Sequence, residues 1–256
     1  MRLLNERVNV LGVGVSAINI PLALDQLNDW IVRGDRQFVS VCNVHSVMEC
    51  RRDPRLRAIV NAAGMVTPDG MPLVWLARRS GHRHVGRVYG PDLMLAELSA
   101  SQTSGHSHFF YGGRPGVADR LAAAMRRRFP EVRVVGTFTP PLGSAAELCN
   151  PQVAGLINQS GADIVWVGIS SPKQEYWMAC MRPLLQAPVL IGVGAAFDFH
   201  TGNVAQAPRW MQRAGLEWLF RLMVEPRRLW RRYLIDNPWF IYEIARQQLG
   251  LRRYPL

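Results

Sequence analysis

The residue best placed for chemistry is Asp69, a single carboxylate between two prolines. It follows the short apolar run 65–67 and precedes Gly70 and Pro72. Because Pro72 lacks a backbone donor and Gly70 permits positive φ, Asp69 is predicted to occupy a tight strand-to-helix connection. Such connections carry much of the chemistry of α/β proteins. An aspartate here also suits the N-cap of a helix over 72–79, and the local sequence leaves both roles open.

Two later strand ends have the composition of anion-binding loops. Gly112 and Gly113 precede one helix, and Lys173 and Gln174 lie in the first turn of another. Free backbone N–H groups and the helix dipole favour an anion at such a helix N-terminus. Neither loop has a neighbouring carboxylate pair for magnesium, so we expect a diphosphate that is neutralised by protein groups and no metal site.

Arg87 lies in a third candidate segment, the basic and glycine-rich stretch 81–92. It precedes a helix that is predicted to begin at Pro91, with Asp92 in its first turn. An arginine in such a connection either binds an anion or is a solvated loop residue. The segment by itself does not choose between these roles.

Composition indicates a globular protein with an anionic partner. The chain has 256 residues, 48% of them hydrophobic, which suffices for one large α/β domain or a domain with an appendage. Its formal net charge is +11, and Lys173 is the only lysine. This excess of arginine predicts binding to nucleic acid, to a phospholipid surface or to a phosphorylated substrate.

The four cysteines, Cys42, Cys50, Cys149 and Cys180, show no Cys-x-x-Cys pair and no metal-ligand spacing. We therefore expect reduced, buried thiols in a cytosolic protein, without a disulfide or a zinc site. The first fifteen residues do not resemble a signal peptide, and no run of about 18 apolar residues predicts a spanning helix. Work at a membrane would therefore be peripheral.

The hydrophobic pattern predicts strands that alternate with helices. A first strand over 8–15 ends at a Gly-x-Gly turn, and a helix follows over Ile20–Arg33 with Asn19 as its cap. One helix is expected over 145–159. Asn43 ends the second strand. Later strands are predicted at 65–67, 108–111, 132–138, 163–169 and 189–194. This alternation indicates an α/β fold, a Rossmann-like and mostly parallel sheet with helices on both faces.

The segment 206–256 differs in character and is predicted to be a helical appendage to a catalytic domain of residues 1–205. It lacks strand-like alternation and holds four of the eight tryptophans and ten arginines. In the run 226–234 the arginines fall on one face of a helix, beside aromatic residues. This pattern suits a helix in a lipid headgroup layer, and it equally suits an amphipathic helix docked on the sheet with a solvated face.

Several longer runs resemble one known family. The most specific are Gly-Val-Gly-Ala-Ala-Phe-Asp-Phe-His-Thr-Gly at 192–202, Gly-Leu-Glu-Trp-Leu-Phe-Arg at 215–221 and Glu-Pro-Arg-Arg-Leu-Trp-Arg-Arg-Tyr-Leu at 225–234. Thr-Pro-Asp-Gly-Met-Pro at 67–72 and Ser-Pro-Lys-Gln-Glu at 171–175 stand in the matching order. Over nearly its whole length the chain resembles the WecG/TagA/CpsF group of bacterial glycosyltransferases.

The resemblance implies an inverting, metal-independent transfer of a hexose from a UDP-sugar, of the UDP-glucose or UDP-N-acetylmannosamine type, to a sugar on a polyprenyl diphosphate. The setting it implies is surface or exopolysaccharide biosynthesis on the cytoplasmic face of the inner membrane, with no cofactor; a homo-oligomer stays open. It implies that Asp69 is the catalytic base and that Asn43, Arg87 and Gln174 bind substrate. It also implies contacts with the membrane or the lipid diphosphate for Arg221, Arg228 and Arg231.

One position departs from the family pattern, and two other functions stay open. Val41 stands where members can carry a hydroxyl, so that contact is absent or moved to Ser40. An NAD-dependent oxidoreductase is compatible with the fold, although Gly12 and Gly14 form only an incomplete fingerprint. A non-enzymatic RNA-binding protein is compatible with the basic charge, although no RNP-like or helix-turn-helix signature is present.

Overall fold

The computed structural model describes residues 6–256, so residues 1–5 of the predicted catalytic domain lie outside the described part. The strands are β1 (Arg7–Val10), β2 (Val13–Ser16), β3 (Gln37–Cys42), β4 (Met65–Pro68), β5 (Ser107–Gly112), β6 (Arg133–Phe138), β7 (Ile164–Gly168) and β8 (Val189–Gly192). The helices are α1 (Ile20–Arg33), α2 (Val44–Arg52), α3 (Pro54–Ala62), α4 (Met71–Arg79), α5 (Gly90–Ser104), α6 (Val117–Arg128), α7 (Ala145–Leu148), α8 (Pro151–Gln159), α9 (Lys173–Met181), α10 (Ala196–His200), α11 (Arg209–Arg213), α12 (Glu217–Val224), α13 (Pro226–Leu234) and α14 (Asp236–Gln248).

Six strands form one wholly parallel sheet in the order β4-β3-β8-β7-β5-β6. In β7, Val165 and Val167 face one apolar cluster while Ile164 and Trp166 face another, as the alternation of a strand requires. Helices α2, α3 and α9 cover the first face, and α1, α5 and α6 cover the second. The predicted α/β fold with helices on both faces is confirmed.

Two local predictions are wrong. The expected first strand over 8–15 is a hairpin, in which β1 and β2 pair antiparallel through a turn at Leu11 and Gly12. Both turn residues have positive φ, so the Gly-x-Gly lies in a hairpin and the dinucleotide-binding alternative loses its motif. The helix expected over 145–159 is divided into α7 and α8, because Pro151 opens a new helix that is capped by the side chain of Asn150.

The prediction of four reduced thiols is wrong for two cysteines. Cys149 and Cys180 form a disulfide across 31 residues of sequence. The packing of α7 against the side of α9 brings their Cα atoms to 6.2 Å, a proximity that short-range cysteine spacing does not reveal. Cys42 and Cys50 are free and buried, as predicted.

The tail, residues 206–256, contains α11 to α14 and packs on the α/β part. Phe240 of α14 belongs to the apolar cluster beneath α2 and α3. Buried Glu243 binds Arg51 of α2 at 2.6 Å, and Arg52 pairs with Asp236. These contacts hold α14 against α2, and α12 and α13 pack in succession beside it, near the carboxyl ends of the parallel strands. Within residues 6–256, every helix is too short or too polar to cross a membrane.

Candidate active site

A cavity of about 760 Å³ lies over the carboxyl ends of β3, β4 and β8. The loop before α5 and helix α4 form one side, and helices α12, α13 and α14 of the tail form the other. Parallel α/β sheets bind ligands at this edge, and the volume lies in the usual range for small-molecule sites. The tail therefore forms part of the cavity wall, which makes this the candidate active site.

Asp69 reaches the cavity because β4 ends one residue before it. Its backbone N–H donates to the carbonyl oxygen of Cys42 at 2.9 Å, which joins the ends of β4 and β3. Helix α4 begins at Met71 with Gly70 as its N-cap and no side-chain cap bond. Of the two roles that the sequence left open for Asp69, the structure excludes helix capping.

The two carboxylate oxygens of Asp69 differ in environment. Oδ2 accepts a hydrogen bond from Asn43 Nδ2 at 3.1 Å, whereas Oδ1 is buried without a hydrogen-bond partner. The nearest cation is the guanidinium of Arg87, whose Nη2 lies 3.9 Å from Oδ1. Burial raises the pKa of Asp69, and Arg87 opposes that shift. The arrangement is that of a partly dehydrated carboxylate that can take up a proton.

The side chain of Arg87 is largely buried and is held in place by three contacts. Its Nε donates to the backbone carbonyl of Asp69, and its guanidinium lies over the ring of Tyr89, 4.1 Å from the centroid. Its Nη2 lies 2.5 Å from a carboxylate oxygen of Glu217 in α12. The residue thus connects the end of β4 to the tail, and the solvated alternative is excluded.

Two amides, Asn43 and Gln174, line the same cavity. Asn43 caps α2 by accepting from the backbone N–H of Ser46 at 3.2 Å, while its amide nitrogen holds Asp69. Gln174 donates to Glu175 at 3.0 Å and accepts from the backbone N–H of Gly194 at 3.0 Å. Because both side chains are held by fixed partners, their orientation in the cavity is set by the protein itself.

Of the arginines in the tail that were predicted to be functional, two line the cavity and one lies on the outer surface. Arg221 and Arg228 line the cavity. Arg231 is exposed and stacks on Trp230, 5.2 Å from the ring centroid. Its neighbour Arg232 lines the cavity instead, donates to Asn43 at 3.3 Å and has a buried Nε without a partner.

Arg232 was not among the residues predicted from the sequence to line the site. Burial lowers the pKa of Arg232, as expected for a cation removed from water without a carboxylate partner. A helical signal was present, because Arg228 and Arg232 are four residues apart and share a face. Tyr89 and Glu217, which also line the cavity, were missed as well.

Three predicted substrate contacts do not reach this cavity. The backbone N–H of Gly113 donates to the carbonyl of Gly168 at 3.0 Å, and Lys173 Nζ donates to the carbonyl of Gly143 at 3.2 Å. Phe197 fills the space above the adjacent ends of β5 and β7, since a Cβ on Gly168 would lie 2.9 Å from its ring. Gly112, at the end of β5, packs against the backbone of Gly168, whose carbonyl oxygen would lie 2.5 Å from an added Cβ.

The substitution at position 41 leaves an apolar patch in the cavity wall. Val41 lines the cavity, whereas Ser40 is fully buried on the opposite side of β3. Successive side chains of a strand point to opposite faces, so Ser40 does not replace a hydroxyl at position 41.

Among residues 6–256, one group has the chemistry of metal ligands. His45, Glu49 and Asp236 place ligand atoms within 4.8 Å of one another at the margin of the cavity. Arg52 already binds Glu49 at 2.8 Å and also pairs with Asp236. Because a guanidinium occupies these carboxylates, the group acts as an ion-pair connection between α2 and α14.

Comparison with known proteins identifies sequence relatives. The model of the "Glycosyl transferase WecG/TagA/CpsF family" matches residues 8–254. A protein of Bacillus spizizenii named N-acetylglucosaminyldiphosphoundecaprenol N-acetyl-beta-D-mannosaminyltransferase is 31% identical over 211 residues. That alignment covers 82% of this chain and 79% of the relative.

Proposed function

The chain belongs to the WecG/TagA/CpsF family of glycosyl transferases, and from this membership we propose that it transfers a hexose from a UDP-sugar to a sugar carried on a polyprenyl diphosphate. The reaction inverts the anomeric centre and needs no metal ion. The observation that carries the proposal is Asp69, which lines a cavity beside Arg87 and whose Oδ1 is a buried carboxylate oxygen without a hydrogen-bond partner. The named relative supports the acceptor class, since its name specifies an N-acetylglucosaminyldiphosphoundecaprenol acceptor.

Asp69 acts as the general base in this proposal. The acceptor hydroxyl attacks the anomeric carbon from the face opposite the departing UDP, and Asp69 takes the hydroxyl proton. A carboxylate in water has a pKa of about 3.9, which makes it a weak base, and the burial that raises the pKa of Asp69 strengthens it. Asn43 holds the other carboxylate oxygen in place, and Gln174 orients sugar hydroxyls.

Arginines neutralise the diphosphate groups of donor and acceptor. Five arginines line the cavity against the two carboxylates of Asp69 and Glu217, which supports a site for anions. Charge-assisted hydrogen bonds from guanidinium groups to phosphate are roughly twice as strong as neutral ones. In this proposal Arg87 faces the leaving diphosphate, while Arg221, Arg228 and Arg232 face the second diphosphate.

The tail places the cavity against the membrane in this proposal. Of eighteen exposed large hydrophobic residues in the described chain, thirteen lie within 206–256, among them Trp230, Leu234 and Ile235. Aromatic and arginine side chains such as Trp230 and Arg231 suit the headgroup layer of an anionic bilayer. We therefore propose a peripheral location on the cytoplasmic face of the cell membrane, with residues 206–256 as the membrane-facing appendage.

The direct test is an analysis of products. The full-length protein is incubated with polyprenyl diphosphate-linked N-acetylglucosamine and, in separate reactions, with UDP-N-acetylmannosamine, UDP-glucose and UDP-N-acetylglucosamine, each with and without EDTA. We expect one donor to extend the lipid-linked sugar, as read by mass spectrometry, with a rate that EDTA leaves unchanged. The absence of product from every donor would overturn the proposed reaction, and loss of product with EDTA would overturn metal independence.

A further inference from the structure

A second carboxylate enters the cavity from the tail, close to Asp69, and the proposed reaction gives it no role. Glu217 is the first residue of α12, and its side chain is 17% exposed. It lines the cavity and lies 2.5 Å from Arg87 Nη2. Glu217 is thus a largely buried charge that pairs with Arg87, the same arginine that contacts Asp69.

The guanidinium of Arg87 lies between two carboxylates and is closer to one of them. The same atom, Nη2, is 2.5 Å from Glu217 and 3.9 Å from Asp69 Oδ1. Its other nitrogens are held elsewhere, since Nε donates to the backbone carbonyl of Asp69 and Nη1 faces Gln212 of α11 at 3.4 Å. Asp69 Oδ1 is consequently left without a hydrogen bond. The tail, through Glu217 and Gln212, thus determines where the Arg87 charge lies.

We infer that Glu217 is a positioning residue that holds the Arg87 guanidinium away from the Asp69 carboxylate, so that Asp69 stays basic enough to accept the proton of the acceptor hydroxyl. The inference rests on the proposed role of Asp69 as the base. An arginine paired directly with Asp69 would stabilise its charged form and weaken it as a base.

The electrostatic surroundings of Asp69 agree with this arrangement. Burial raises the pKa of Asp69, Arg87 lowers it, and Glu217 raises it. Asn43, through its hydrogen bond, and Arg221 of α12 also lower it. Tyr89, Cys42 and Arg232 also interact electrostatically with Asp69. Among these groups Glu217 is the carboxylate that both repels the charged form of Asp69 and holds the opposing arginine.

The test compares Glu217→Gln with Glu225→Gln in the full-length enzyme. Both substitutions neutralise a carboxylate of the tail, but Glu225 pairs with Arg228 and has no contact with Arg87. We expect the acid limb of the kcat–pH profile to move to lower pH by at least about 1 unit in Glu217→Gln, since an arginine that approaches a carboxylate lowers its pKa by about 1–3 units. The value of kcat should fall while KM for the donor does not rise, and Glu225→Gln should leave the midpoint in place.

A second measurement does not depend on turnover. The carboxyl carbon of Asp69, assigned by the loss of its signal in Asp69→Asn, is titrated by 13C NMR in the parent protein and in Glu217→Gln. A midpoint that falls by a similar amount supports the inference, even if the parent transfers none of the tested sugars. An unchanged midpoint in a variant with parental thermal stability would overturn it, and so would an equal shift in Glu225→Gln.

Discussion

Replacement of Asp69 by asparagine tests the proposed base with little change in shape. The amide carbonyl oxygen of the new side chain can still accept the 3.1 Å hydrogen bond from Asn43, and the backbone carbonyl that receives Arg87 Nε is unaffected. What disappears is the negative charge and the proton-accepting capacity of Oδ1, which has no hydrogen-bond partner to lose. The variant should therefore fold normally and keep the geometry of the cavity.

The expected loss of activity follows from the contribution of a general base. Such a group accelerates reactions typically by 10²–10⁴-fold, which corresponds to about 3–5 kcal/mol of transition-state stabilisation. We expect kcat for sugar transfer to fall by this factor in Asp69→Asn. The dissociation constant for UDP should stay within a few-fold of the parental value, because the arginines that face diphosphate in our proposal remain in place.

The assay measures initial rates of transfer of a radiolabelled sugar to the lipid-linked acceptor, UDP binding by calorimetry, and folding by circular dichroism. Asp92→Asn provides a matched control, because Asp92 pairs with Arg209 at 2.9 Å and does not line the cavity. A rate for Asp69→Asn within a few-fold of the parent, in a folded protein, would refute the reasoning. A loss of UDP binding equal to the loss in rate would show instead that Asp69 serves substrate binding.

Three further outcomes follow from the same contacts. Burial raises the pKa of Asp69, so between its ordinary and its raised pKa the native state binds a proton that the unfolded chain has released. The free energy of unfolding should therefore fall as pH rises through that window. Urea titrations at stepped pH should show this fall in the parent protein and not in Asp69→Asn. Arg232→Gln should weaken the binding of a diphosphate ligand by about 10–100-fold, as expected for hydrogen bonds to a charged group, whereas Arg231→Gln should change it little. Titrations with UDP and with the lipid acceptor would show which diphosphate Arg232 binds. Equal effects of the two variants would contradict a role for Arg232 in the cavity. Leu234→Ser should weaken binding to anionic vesicles roughly five-fold in a sedimentation assay, because insertion of a half-exposed leucine contributes on the order of 1 kcal/mol. The control Leu184→Ser changes an exposed leucine outside the tail and should leave vesicle binding unchanged.

Much of the fold could be predicted from the sequence because its signals are local. Helix α1 begins and ends where the pattern predicts, since the Asn19 side chain accepts the N–H of Leu22 and Gly34 provides the left-handed C-cap. The end of β4 could also be predicted, because the apolar run stops just before Asp69. Each of these signals concerns residues within one turn or one strand of each other.

Other features depend on which elements meet. The pairing of β1 with β2 turned a predicted single strand into a hairpin, and the packing of α7 on α9 joined Cys149 to Cys180. Phe197 packs beside the loop at Gly113, which does not line the cavity. The disulfide and the packing of Phe197 join segments that lie far apart in the chain, so no short-range pattern specifies them. The hairpin is local, but its turn places Leu11 at positive φ, and leucine is not a residue that indicates such a turn.

The candidate site shows the same division. Sequence by itself determined that Asp69, Asn43 and Gln174 follow strands whose carboxyl ends share one edge of a parallel sheet, because strand direction and helix alternation are encoded locally. Tertiary structure decided that Arg232 and not Arg231 enters the cavity, and that Glu217 of the tail reaches Arg87. The rotation of a helix about its axis and the partner of a charged side chain are set by packing between distant elements, and no pattern within one element specifies them.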